Sequence, residues 1–129
     1  MRNMSEITKI DFENILNKAA AIKPENGFTL LHWACAAGCN DLASALCYIG
    51  VDINAVDVKG NTPLHYACIK GDSDIIKLLL TYKANTFVNK KGNTPFDYLP
   101  TDKKKDLKKF QEEVERNVSP GFEDIFEIG

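Results

Sequence analysis

His32, Cys35 and Cys39 fall on one face of a helix if residues 30–39 are helical, and that spacing raises metal ligation first. A structural zinc site wants four ligands, commonly as paired CxxC or His-x₃₋₅-His steps. The second cluster, His65 with Cys68, does not complete such a set, so no metal ligand is assigned. No cofactor is assigned either. Nucleophile elbow, P-loop, HExxH and dinucleotide fingerprints are absent from the sequence, so no catalytic residue is assigned and the chain reads as a non-enzyme. The four cysteines (35, 39, 47 and 68) occur without an apolar secretory leader, which predicts reduced thiols in the cytoplasm, with the nucleus left open. The 129 residues are 44% hydrophobic and carry 16 basic and 18 acidic side chains. That describes one folded domain rather than a disordered chain, with no overall charge favouring nucleic acid. No apolar run is long enough for membrane insertion.

The elements that position these residues come in repeats. Residues 27–38 read GFTLLHWACAAG and residues 60–71 read GNTPLHYACIKG, at an offset of 33. A third copy, GNTPFDYL, begins at residue 92 with an offset of 32. Each copy has the same physical logic. Gly60 ends the turn tip Asp57-Val58-Lys59-Gly60, where a positive φ is needed. Thr62 suits a helix N-cap, and Pro63 suits the first helical position. Leu64, Ala67 and Cys68 form a buried i, i+3, i+4 stripe, and Gly71 can stop the helix. Asp72 or Ser73 then starts a second, mostly apolar helix through Leu80. Its counterpart in the first repeat carries the smaller Ala43, Ala45 and Cys47, a thin face that something must cover.

A turn and two antiparallel helices every 33 residues, with T-P-L-H-x-A at 62–67, resembles the ankyrin repeat. The resemblance implies an all-α repeat, an ankyrin-repeat solenoid of about three helix-turn-helix units with helical ends. Inner helices would line a concave face, and turn tips would project to one side. In this family the histidine of T-P-L-H, here His32 and His65, looks like a strut to neighbouring backbone. Three departures stand out. Leu30 takes the proline slot of repeat one, and Phe96-Asp97 replaces Leu-His in repeat three. Lys83 replaces the glycine that ends an outer helix, at a cost of about 1–2 kcal/mol if φ is positive. The missing residue near Thr86-Phe87 is expected to reshape the second tip.

The boundaries read as an N-terminal capping helix at 1–23, repeats at 24–56, 57–88 and 89–118, and a tail at 119–129. The capping helix is expected over 5–22, with Ser5 as N-cap, Phe12, Ile15, Leu16, Ala19 and Ala20 inward, and Pro24 enforcing a stop. The third outer helix is expected over 101–116, with Leu107, Phe110 and Val114 inward and Pro100 breaking the helix before it. Lys103-Lys104-Lys105 reads as its solvated face. The tail is acidic and aromatic, with Phe122, Ile125 and Phe126 at i, i+3, i+4. Charge is segregated: residues 90–109 carry 7 basic and 3 acidic groups, and residues 110–129 carry 1 and 6.

By this resemblance the chain is a protein–protein interaction module, an adaptor or scaffold. Trp33, Tyr66 and Tyr98 occupy one slot of successive repeats, and stacking would align them in a column on the concave face. Trp and Tyr are enriched in binding hot spots. The neighbouring concave positions are Ala36, Ala37, Ile69 and Lys70. The tips add Phe28, Val58, Lys59, Asn61, Lys90, Lys91 and Asn93. A second resemblance, through Leu30-Leu31-His32-Trp33-Ala34-Cys35, is to ankyrin-containing acyl-CoA-binding proteins. On that alternative this chain would be the C-terminal ankyrin region, and acyl-CoA would bind only through a separate preceding domain.

Overall fold

Helix starts and stops follow the capping residues closely. The computed structural model describes residues 9–21 and 24–128, with side chains for 14–21 and 24–116. Six α-helices form among the described residues: α1 Lys9–Ala20, α2 Leu30–Ala37, α3 Asn40–Ile49, α4 Pro63–Lys70, α5 Ser73–Thr81 and α6 Thr101–Ile128. A 3₁₀ turn, η1, spans Pro95–Tyr98. There is no strand among the described residues. Thr29 and Thr62 cap α2 and α4, and Gly38 and Gly71 close them in the left-handed conformation. Asp72 caps α5, accepting from the N–H groups of Asp74 and Ile75.

The inner layer is α2, α4 and η1, and the outer layer is α3, α5 and α6. Between them lie Leu31, Ala34 and Cys35 of α2, Leu64, Ala67 and Cys68 of α4, and Leu46, Ile75, Ile76 and Leu79 of the outer helices, all buried. Each repeat buries its faces against its neighbour rather than around a central core. The thin first outer helix is covered by α1, which packs on both α3 and α2 and leaves Ala43 and Cys47 buried.

The backbone of each inner helix is tied to the next repeat by a histidine. The Thr29 N–H donates to His32 Nδ1 at 3.0 Å, and the His32 N–H donates back to Thr29 Oγ1 at 3.3 Å. At the other side of the ring, His32 Nε2 lies 2.8 Å from the Asn61 carbonyl oxygen. A carbonyl only accepts, so the proton is on Nε2. His65 repeats the arrangement with Thr62 and with the carbonyl of Asn93 at 3.0 Å. The tips are stitched in parallel, Val58 N–H to the Asn26 carbonyl and Lys90 N–H to the Lys59 carbonyl. Gly60 has φ +77°, and a Cβ there would sit 2.9 Å from the Lys90 nitrogen, so the stitch requires glycine.

The structure departs from the sequence reading in five places. First, Ile15 is 61% exposed, whereas Leu16 is buried and Ala19 and Ala20 are half-buried, so α1 packs on a stripe rotated from the expected one. Ser5 and Ile22 lie outside the described residues, and Phe12 outside the described side chains. Second, repeat three has a single 3₁₀ turn where an inner helix was expected. Leu99, preceding Pro100, is held extended at ψ 148°, which ends helical geometry there. Third, the second tip keeps the form of the first. Asp57 Oδ1 accepts from Lys59 and Asn61 N–H, and Asn89 Oδ1 accepts from Lys91 and Asn93 N–H. The deletion is absorbed upstream, between Lys83 and Val88. Fourth, α6 continues to Ile128, so the boundary set at residue 118 falls within a helix. Fifth, Asn61, expected on the surface of a tip, is only 6% exposed. Leu107 does face inward, and Phe110 and Val114 are half-buried.

Lys83 has φ +69°, as its glycine slot predicts. Lys83→Gly is expected to raise stability by about 1 kcal/mol, seen as a higher urea midpoint with an unchanged slope.

Burial lowers the pKa of both His32 and His65 below the ordinary 6.5, against the opposing pull of the Asn61 and Asn93 carbonyls. The unfolded chain therefore takes up protons first as pH falls. Stability is complete above about pH 6.5 and declines below it, by at most about 1.4 kcal/mol per pH unit for each histidine. Urea titrations at neutral and mildly acidic pH check this, with His65→Gln expected to flatten the dependence.

Candidate protein-binding face

The aromatic slot divides into two kinds of residue. Tyr66 hydroxyl donates to Asp57 Oδ2, and Asn61 Nδ2 donates to the Tyr66 hydroxyl at 3.3 Å. Tyr98 hydroxyl accepts from Asn89 Nδ2 at 2.9 Å and Asn93 Nδ2 at 3.3 Å. Both tyrosines are half-buried braces for their own tips. The rings around Tyr66 are Phe28, edge-on at 5.2 Å, and His32 at 5.8 Å. Trp33 stands apart from these braces and is 57% exposed.

The tip residues divide in the same way. Asn61 donates its N–H to Asp57, offers its backbone carbonyl to His32 and its side-chain oxygen to Asn89 Nδ2 at 2.8 Å. Asn93 is half-buried, with its carbonyl on His65 and its amide on Tyr98. Phe28 is half-buried, stacked on His32 at 5.3 Å. Burial alone would raise the Asp57 carboxyl, but hydrogen bonds from Tyr66 hydroxyl and from Asn61 and Lys59 N–H outweigh it and hold the group below the ordinary carboxylate range. Its charge is therefore spent inside the tip.

What remains facing outward on the inner helices is Trp33, Ala36 and Ala37 from α2, and Ile69 and Lys70 from α4. Ile69 is 51% exposed. Val58, Lys59, Lys90 and Lys91 are exposed on the tips. By the 33-residue register, Trp33 lies beside Tyr66, and Ala36 and Ala37 lie beside Ile69 and Lys70. The result is a small apolar patch on rigid helices, with lysines at its tip side and at its far end.

The groups with chemical potential are held inert. Both ring nitrogens of His32 are committed to backbone, as are those of His65. Burial pushes the thiols of Cys35 and Cys68 up to about 12 and that of Cys47 to about 11, so they stay protonated. No group of three or more His, Cys, Asp or Glu side chains among the described residues could hold a metal ion. An open cleft of about 390 Å³ lies where Ala20 and Pro24 meet Leu30, Leu46 and Val51. Among its described lining residues only Asp52 is titratable. No helix among the described residues is long and apolar enough to cross a membrane.

The sequence reading placed the Trp33, Tyr66 and Tyr98 rings as equals. The signal that separates them is local. Each tyrosine has Asp or Asn nine residues earlier and Asn five residues earlier, whereas Trp33 has Pro24 and Phe28 at those positions.

The family model described as "Ankyrin repeats (many copies)" matches residues 31–80. The chain is also similar to the tyrosine-protein kinase HTK16 of Hydra vulgaris, at 24% identity over 92 residues, which is 71% of this chain and 12% of the kinase. The chain thus spans a small part of that relative. Ankyrin repeats are typically non-catalytic and generally mediate protein–protein interaction. Residues 31–80 thus match the ankyrin-repeat family model, and the stacked helix pairs of the described residues agree with that match.

Proposed function

We propose that this chain is a cytoplasmic adaptor module that holds a protein partner on the open face of α2 and α4 and on the adjoining tips. The observation that carries this reading is the exposure of Trp33 and Ile69 on capped, rigid inner helices. Large apolar side chains left bare on a preorganised surface lose little entropy when a partner covers them. Ala36 and Ala37 allow close approach between them. Lys59, Lys70, Lys90 and Lys91 frame the patch and would set orientation and on-rate. The acyl-CoA resemblance concerns a domain preceding the repeats and adds no role for this face.

The test contrasts two kinds of substitution. Trp33→Ala with Ile69→Asp is expected to remove the bands retained by wild type in a pull-down from the source cell, while the melting temperature stays within a few degrees. Intact binding with a collapsed melting temperature would sink the proposal. Asn61→Ala should do the reverse of a surface change, lowering stability by about 1–3 kcal/mol because it removes the partner of buried Asn89. Chemical denaturation measures it.

A further inference from the structure

The open face and the chain's own C-terminal segment have opposite chemical character. The face presents Trp33, Ala36, Ala37 and Ile69, with exposed Lys59, Lys70, Lys90 and Lys91 around them. The Asp57 carboxylate at the same edge is turned inward on Tyr66, and Glu25 on the first tip and Asp97 of η1, the latter facing Lys104, are opposing exposed charges. Residues 119–129 carry Glu123, Asp124 and Glu127 and no basic side chain. They also carry Phe122, Ile125 and Phe126 at i, i+3, i+4, the spacing of a helix that lays one apolar face into a groove.

The route of α6 decides which molecule such a segment can reach. α6 belongs to the outer layer, packed on α5, with Lys77 Nζ 5.6 Å from the Phe110 ring centre. It meets the connector where the Val114 carbonyl accepts from Lys83 Nζ at 3.4 Å, and Gln111 and Glu115 line a shallow cleft with Thr86 and Phe87. The helix continues from there to Ile128, a further roughly 20 Å at 1.5 Å per residue. An unbroken helix that packs in the outer layer does not turn back onto the inner layer of its own chain. We propose that residues 119–129 of one copy dock on the Trp33–Ile69 face of a second copy, aromatic anchors on the apolar patch and carboxylates on the lysines. This rests on the inner-helix face being the binding face. The contact joins two different surfaces, so mutual exchange of segments closes it into a dimer.

Trp33 is the only tryptophan in the chain, so its emission reports occupancy of the face directly. The full chain should pass from monomer to dimer with rising concentration in sedimentation equilibrium, and Trp33 emission should shift to the blue in step. Phe122→Ser with Phe126→Ser should abolish both changes at unaltered melting temperature. Glu123→Lys with Asp124→Lys should weaken association by about tenfold, and added salt should weaken the wild type similarly. A chain that remains monomeric at every concentration overturns the proposal. Emission that responds to the tail substitutions in such a monomer places the segment on its own chain instead. A dimer that survives the Phe122/Phe126 substitutions overturns it as well. Capture of an acidic cellular protein through Trp33 by a chain that does not self-associate overturns the inference and leaves the broader binding role standing.

Discussion

Two buried imidazoles each hold two stretches of backbone at once. His32 closes the capping box of α2 through Nδ1 and reaches the second repeat's tip through Nε2. His65 does the same between α4 and the third tip. A helix start leaves backbone N–H groups without intrahelical partners, and burial makes each unsatisfied donor cost about 1–3 kcal/mol. In this chain the same ring that removes that cost also fixes where the next repeat begins. Local helix formation and stacking between repeats are therefore coupled through single side chains. Because the ring must accept at Nδ1 and donate at Nε2, only the neutral tautomer serves.

Around these struts the tips form a second, polar layer of register. Asn61 stands at its centre, joining Asp57, His32, Tyr66 and Asn89. Asn89 extends the chain of bonds to Tyr98. The side-chain amides and hydroxyls are satisfied by one another, with no orphaned polar side-chain atom among the described buried residues. A fully paired buried network rigidifies what it connects. That rigidity keeps the lysines of the tips at fixed places beside the inner helices.

The repeat itself was legible because its signals are local and strong: a fixed period, Thr caps, a proline at the first helical position and glycine stops. The helix boundaries of α2 and α4 follow from those residues, and the start of α5 follows from Asp72. The candidate face was legible in part. Trp33, Ile69 and the tip lysines are exposed as their slots imply, but Tyr66, Tyr98 and Asn61 are drawn inward by partners several residues away. Equal slots gave unequal roles because Asp57 and Asn61, and Asn89 and Asn93, offer a hydroxyl partners, whereas Pro24 and Phe28 stand at those positions before Trp33. Ile15 was misplaced for another reason: α1 packs on both α3 and α2, and which stripe of a short helix those neighbours bury is set by tertiary packing rather than by periodicity.

Repeat three keeps only half of the histidine strut. Asp97 stands in the histidine slot and still accepts the Thr94 N–H, at 2.8 Å. A carboxylate is too short to reach a following tip, and its remaining oxygen faces Lys104 at 3.4 Å. The local half of the strut survives, and in place of the reach to a following tip there is a solvent-facing ion pair. With η1 reduced to four residues, the inner face is left with two full helices. A surface that small cannot gain affinity from area, so it must rely on a few well-placed anchors. The one tryptophan of the chain lies on that surface, in the one repeat whose tip lacks the groups that would have drawn an aromatic ring inward.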